Sequence, residues 1–262
     1  MAVAAATAAL LVALPAGAAG SFAWVYAGHS VQLDPTSRIP FPATIELTQD
    51  GRAIDAVSFA ERYTCPSGES FTDRITLTGM PIRSDGTWSK QRTFPGGVTV
   101  EIAGRLTQTA ATFRVKATDN QQCTAETSYL LTHGPASYGG SSSDDFPVSI
   151  RLDHSRKAIS ELSVFLKASC RDPKGEPVSY RAPARLRDIA LGGDGSFSRT
   201  SGYRYAFRGK GALVSVAYSV RGRVGPATAT GTLSFVVSAA YPDGAKVFAG
   251  CKGRFTWKAT SV

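Results

Sequence analysis

The sequence predicts an all-β protein: two tandem antiparallel β-sandwiches or flattened barrels, each with one disulfide, behind an N-terminal signal or anchor helix. Three observations predict it. Residues 41–65 recur 105 positions later as residues 146–170. Short β-branched and aromatic runs lie between Gly, Asp and Pro clusters, and helical periodicity is nearly absent after residue 20. The four cysteines fall two to each copy. Aligned without gaps, the copies share Phe41/Phe146, Pro42/Pro147, Ile45/Ile150, Leu47/Leu152, Ala53/Ala158, Ile54/Ile159, Ser58/Ser163 and Cys65/Cys170, eight identities in twenty-five positions. Most remaining pairs keep side-chain type. What the copies hold in common is apolar spacing and a cysteine, and that specifies packing.

The elements follow in chain order. Residues 2–14 are an apolar run closed by Pro15, with Ala16 and Ala18 offering a small-residue cleavage site, so residues 1–20 are expected to be a signal peptide or an uncleaved anchor. No Lys or Arg precedes the run, a departure from the usual signal pattern. Residues 21–40 are expected to be an N-terminal extension. In the first repeat, 41–132, Ile45 and Leu47 alternate with Thr44 and Glu46; Gln49-Asp-Gly-Arg52 then gives a turn, and a second strand resumes at Ile54. Further on, Asp85-Gly86-Thr-Trp88-Ser89 corresponds to Asp194-Gly195-Ser-Phe197-Ser198, and Gly104-Arg105-Leu106 to Gly222-Arg223-Val224. Both read as a strand, an Asp-Gly turn, an aromatic-led strand and a strand carrying a glycine. Residues 133–145 have linker composition, and the second repeat takes 146–262. At 262 residues and 43% hydrophobic composition, the chain can bury a core in each of two ordinary domains.

Paired cysteines suit an exported chain in an oxidising compartment. Of the three connectivities open to four cysteines, duplication favours Cys65–Cys123 and Cys170–Cys251, because one ancestral bridge copied twice explains both. Closing such loops restricts the unfolded chain by roughly 4 kcal/mol each on the entropic account. Each second cysteine precedes an aromatic by six residues, Cys123 to Tyr129 and Cys251 to Trp257. On a strand that spacing puts both side chains on the core face.

The order of cysteine, Asp-Gly-x-aromatic-Ser, Gly-Arg-apolar and Cys…Trp-x-Ala is carried by Cys170, Asp194-Gly195-Ser-Phe197-Ser198, Gly222-Arg223-Val224 and Cys251…Trp257-Lys-Ala259. It resembles secreted β-sandwich modules of GC-rich bacteria, and an excess of Arg over Lys, twenty to nine, agrees with such a genome. The first copy departs from it with Tyr129 in the place of Trp257. A looser similarity is to immunoglobulin-like domains, with Trp88 or Phe197 in the place of the tryptophan that lies between the bridged cysteines. What both imply is a sandwich fold, and neither brings an active site.

The sequence carries few marks of catalysis. Neither Gly-x-Ser-x-Gly nor His-Glu-x-x-His occurs, and no cofactor or metal site is expected. His29, His133 and His154 do not recur between copies and are expected to be exposed and idle. Asp85 and Asp194 are claimed by turns, with the Asp119 and Asp144 loops left as weak calcium candidates. The informative asymmetry is electrostatic. Residues 21–138 carry ten basic and eleven acidic side chains, whereas residues 139–262 carry nineteen and nine. Arg181, Arg185, Arg187, Arg199, Arg204, Arg208 and Lys210 supply much of that excess and form the candidate anion-binding set. A strand from Tyr203 would send Tyr203, Tyr205 and Phe207 to the core and Arg204, Ala206 and Arg208 outward. The expectation is a non-enzymatic protein, secreted or on the extracellular face of the envelope, whose second repeat engages an anionic glycan, teichoic acid or membrane headgroups; nucleic acid ranks lower. A glycan-active enzyme with a carboxylate pair and a spacer or protein-interaction module are the alternatives.

Overall fold

Alternation of apolar and polar residues with a period of two makes one face of each strand a wall of the core and gives the other to water. In the computed structural model, which describes residues 25–34, 39–134, 136–207 and 211–261, this pattern runs almost without a break. The first half of the chain forms β1 (Val25–Leu33), β2 (Pro40–Leu47), β3 (Ala53–Thr64), β4 (Ser70–Pro81), β5 (Thr87–Thr93), β6 (Thr99–Leu106), β7 (Ala110–Thr118) and β8 (Thr124–Thr132). The second half forms β9 (Ser137–Ser142), β10 (Pro147–Leu152), β11 (Ala158–Arg171), β12 (Pro177–Leu186), the short β13 (Ile189–Ala190), β14 (Ser196–Phe207), β15 (Ala212–Val224), β16 (Thr228–Ala240) and β17 (Lys246–Ser261).

Two antiparallel sheets result, ordered β4-β3-β2-β1-β8-β7-β6-β5 and β12-β11-β10-β9-β17-β16-β15-β14, with β13 on β11. Each is an up-and-down meander whose first and last strands pair, so each sheet curls around its own buried cluster. The all-β, barrel-like expectation holds. The topology is not that of an immunoglobulin domain, since chain neighbours are sheet neighbours except across β4/β5 and across β12/β14. Side chains bridge those two gaps. Lys90 Nζ donates to the Thr78 carbonyl at 2.5 Å in the first, and the Tyr180 and Tyr205 hydroxyls meet at 2.9 Å in the second.

Both disulfides form as the duplication requires, Cys65–Cys123 and Cys170–Cys251. Each lies beside a single extra pairing, Thr64↔Thr124 or Ser169↔Lys252, where β3 reaches β8 and β11 reaches β17. The bridges therefore clamp the same end of both barrels. The Asp-Gly turns also match. Asp85 Oδ1 accepts from the Thr87 amide and Asp194 Oδ1 from the Ser196 amide, at 2.9 and 3.0 Å. Gly86 and Gly195 adopt φ of 82° and 79°, and a Cβ on either would run into the carbonyl of Leu106 or Val224.

The stretches expected to be an extension and a linker contain strands: β1 lies within residues 21–40 and β9 within 133–145. Their small residues are a packing requirement. A Cβ on Gly28 or Gly140 would collide with the carbonyl of Leu130 or Lys258 on the neighbouring strand. Tyr26 Oη donates to the Thr107 carbonyl at 2.7 Å and Tyr138 Oη to the Gly225 carbonyl at 2.8 Å. Ser30 Oγ accepts from the Phe41 amide, and Ser142 Oγ from the Phe146 amide. Tyr-x-Gly-x-Ser is thus a further repeated motif, offset by 112 residues and hidden from an ungapped alignment by the longer β1–β2 connection.

The barrels pack through their first halves in a largely reciprocal way, β1 on β9, β2 on β10, β1 on β10 with β2 on β9, and β2 on β11 with β3 on β10, to which β2 on β12 adds a contact without a counterpart. Phe146 and Phe165, stacked at 4.4 Å, insert into the buried cluster of the first barrel. Removing such rings from water contributes about 1.5–3 kcal/mol each. Gly139 faces Val25, Ala27 and Thr44 with no room for a side chain. The outer halves, β5–β8 and β14–β17, are left to solvent.

Candidate functional site

The predicted arginine set is not gathered on one face. Arg181 and Arg185 lie on β12 at the seam between barrels: Arg181 Nη1 donates to the Thr72 carbonyl of the first barrel at 3.1 Å, and Arg185 is paired with Glu161. Glu161 is buried, and it also lies 3.4 Å from Arg151 Nη2 and 3.5 Å from His29 Nε2. His29 is therefore a half-buried seam residue instead of an idle one. His133 is likewise engaged, its ring 5.1 Å from that of Tyr26. Arg199 turns to the β12–β14 gap and donates to the carbonyls of Arg187 and Asp188 at 2.5 and 2.7 Å. Arg187 and Arg204 are exposed; Arg208 and Lys210 lie outside the described residues. The strand expected from Tyr203 is present, with Tyr203 and Tyr205 packed against the core and Arg204 and Ala206 outside. Burial raises the pKa of all three tyrosines at the gap, Tyr180, Tyr203 and Tyr205, the last to about 12.

A different cationic surface is present on the outside of β14–β17. The inward series Ala212, Val214, Val216, Tyr218, Val220 fixes the phase of β15, and Cys251, Phe255, Trp257 and Ala259 fix that of β17. Arg221 and Arg223 must then face outward from β15, and Lys252, Arg254 and Lys258 outward from β17; all five are exposed. Between them β16 presents Thr228, Thr230, Thr232 and Ser234. Register places Arg221, Thr232 and Thr256 in one row, Arg223, Thr230 and Lys258 in the next, and Ser219, Ser234 and Arg254 in a third. None of the strands β14–β17 contains an Asp or Glu. Among the described residues Arg221, Lys252, Arg254 and Lys258 form no ion pair. Arg223 is held at the rim by Asp194, whose carbonyl accepts from Nε at 2.9 Å. Two shallow hollows lie in line along this face, one over Gly222 and Gly231 between Arg221, Arg223, Thr230 and Thr232, the other over Gly253 between Ser234, Lys252 and Arg254.

The equivalent face of the first barrel is an internal control. There Arg105, Arg114 and Lys116 alternate with Glu101 and Glu126; Arg114 is paired with Glu126, and Lys116 stands opposite both glutamates in the register. Counting from the second cysteine of each copy, Arg254 occupies the position of Glu126. Sequence reasoning missed Arg221, Arg223, Lys252, Arg254 and Lys258, although the cysteine-to-aromatic phase that placed Trp257 in the core also placed these residues outside.

Among the described residues most loop acids are taken up by turns, and Glu46 lies near enough to Asp55 that burial and that neighbouring charge raise its pKa. Asp119 Oδ1 accepts the amides of Gln121 and Cys123, each at 2.8 Å, and Asp50, Asp153, Asp172 and Asp243 cap turns in the same way. Glu61, in the core of the first barrel, is 0% exposed. Its Oε1 accepts from Tyr129 Oη at 2.9 Å, its Oε2 has no partner among the described residues, and burial raises its pKa to about 7. Glu161 lies at the seam, away from it.

No protein-family model matches the chain, and no curated protein is similar to it. Solved structures give distant likenesses. A provisionally named outer membrane protein from Bacteroides fragilis is 12% identical, with 92% of this chain and 97% of that one covered at a TM-score of 0.25. Kievitone hydratase from Nectria haematococca is 8% identical, with 92% and 90% covered at 0.24. A provisionally named AttH from Nitrosomonas europaea is 13% identical, with 97% and 99% covered at 0.25. Likenesses at this level carry no argument about function.

Proposed function

We propose that the protein is a non-enzymatic module, secreted or held on the outer side of the cell envelope, whose second barrel binds an anionic envelope polymer on the outer face of β14–β17. The observation that carries this reading is the contrast between two faces of one architecture: the first balances Arg114 and Lys116 with glutamates, and the second exposes Arg221, Arg223, Lys252, Arg254 and Lys258 on strands that hold no acid. Surface charges act over about 8 Å at physiological ionic strength, so cations in adjoining rows add where dispersed ones do not. Export is supported by the signal-like residues 1–20 and the two disulfides.

Retention of the full chain on a polyanionic column is the test. Arg221→Ser with Arg254→Ser should elute the protein at markedly lower salt, while Arg114→Ser with Lys116→Ser, the same loss of charge from the first barrel, should shift elution little. Equal shifts from both pairs would reduce the effect to net charge and overturn the assignment of the face.

A further inference from the structure

The outer face of β14–β17 is furrowed. Strands in a sheet are spaced by about 4.8 Å, so β15 and β17 stand roughly 10 Å apart with β16 between them. The flanking strands carry long cationic residues on this face, Arg221 and Arg223 on one side and Lys252, Arg254 and Lys258 on the other, with Ala217, Ser219 and Thr256 between or beside them. On β16 the outward residues are short and hydroxylated over Thr228, Thr230, Thr232 and Ser234, and the row ends at the exposed Val236 opposite Lys252. Gly222 directly opposes Gly231 in the register, and both are in the inward phase, where Phe197 and Trp257 fill the space a side chain would need. A trough with a hydroxyl floor therefore runs along β16 from Thr228 to Ser234 between cationic flanks; the hollow over Gly222 and Gly231 lies in it, and the second hollow continues it past Ser234 onto Ala217 and Val236 beside Lys252.

We propose that this trough takes a single strand of an acidic polysaccharide, laid along β16 with its carboxylate or sulfate groups toward the two walls and its ring hydroxyls on the Thr and Ser floor. The proposal rests on the anion-binding reading above and adds the chemical class of the polymer. Three features favour a glycan. Threonine and serine hydroxyls both donate and accept, which matches sugar hydroxyls, whereas a polymer recognised by charge alone has no use for an ordered hydroxyl row. Arginine on β15 can meet a carboxylate or sulfate with two parallel N–H···O bonds. A width of about two strand spacings admits one extended chain; a bilayer surface would touch the wall tips and leave the floor unused. Single-stranded nucleic acid is bound on aromatic platforms, and among the described side chains no outward position of β14–β17 carries an aromatic residue.

Calorimetric titration of the full chain with oligogalacturonates of defined length tests this, with polyphosphate of matched charge, a neutral glucan and anionic phosphatidylglycerol vesicles as comparison probes. Affinity for the uronate oligomers should rise with length and then level off once the trough is filled. Thr230→Val and Thr232→Val keep strand propensity and volume, and each should weaken uronate binding about two- to tenfold, the worth of one net hydrogen bond, without moving the polyphosphate affinity. Arg221→Ser and Lys258→Ser should weaken both. If polyphosphate or the vesicles bind as well as the uronates and the threonine variants change nothing, the glycan assignment is overturned while anion binding by the face survives. Equal binding of the neutral glucan would remove the role of the walls. Failure of every polyanion to bind at 0.15 M salt, on the screening scale above, would sink the anion-binding reading itself.

Discussion

Glu61 offers a stability experiment whose sign runs against that of most carboxylates. It sits in the core of the first barrel with hydroxyl partners only, and burial is the largest influence on it; the Tyr129 and Thr127 hydroxyls pull its pKa back only in part, leaving it near 7 against an ordinary 4.5. The folded state therefore holds a proton that the unfolded state releases between these values, so stability is greatest below pH 4.5, falls as pH rises from 4.5 to 7, and is flat above that. A shift of about 2.5 units at about 1.4 kcal/mol each amounts to roughly 3 kcal/mol between pH 4.5 and pH 8. Denaturant unfolding of wild type and Glu61→Gln across this range reads it directly. The amide keeps the size and can still accept from Tyr129, so the variant should lose that slope and be the more stable protein at pH 8. Parallel pH profiles for the two proteins would refute the reasoning.

Other outcomes follow from the same geometry. Ala at Gly195, where φ is 79° and a Cβ would meet the Val224 carbonyl, should destabilise the second barrel by more than about 1 kcal/mol, measured as a fall in Tm. Replacing Cys170 and Cys251 together by Ala should cost about 2–5 kcal/mol in denaturant unfolding without altering the far-ultraviolet circular dichroism of the folded state. Glu161→Ala strands Arg185 at the seam and should cost about 2 kcal/mol or more, with faster hydrogen exchange in β1 and β12 if the barrels loosen against each other. Unchanged exchange there would mean that the seam does not depend on this carboxylate.

The legible parts of the sequence were those in which geometry forces residue type. The β2–β3 and β10–β11 hairpins, the Asp-Gly turns at Gly86 and Gly195, and the cysteine pairing could all be read because each position admits few side chains. β1 and β9 were hidden for the converse reason: Gly28, Gly139 and Gly140 imitate a linker, and only the neighbouring backbone shows that they are glycine for lack of space. The arginines chosen from local density, Arg181 through Lys210, were counted along the chain when the property that mattered was phase. Arg185 has the density but faces Glu161; Arg254 stands apart in sequence but projects to the same side as Arg221. Strand order decides that, and order is set by long-range pairing such as β1 on β8 and β9 on β17, which no short window contains.

The reciprocal seam has a consequence of its own. Because β1 meets β9, β2 meets β10, and most flanking strands exchange partners, with β2 on β12 the exception, the seam resembles the contact scheme of an isologous dimer whose subunits share one chain. Covalent joining fixes the local concentration of each half around the other, so the pairing holds at any dilution, where a dimer of separate subunits would come apart. It also releases the halves from being identical. In a true homodimer a Glu-to-Arg change such as that between the positions of Glu126 and Arg254 would appear on both outer faces at once; here it stands on one only, so a single molecule can keep a charge-balanced end and a cationic end.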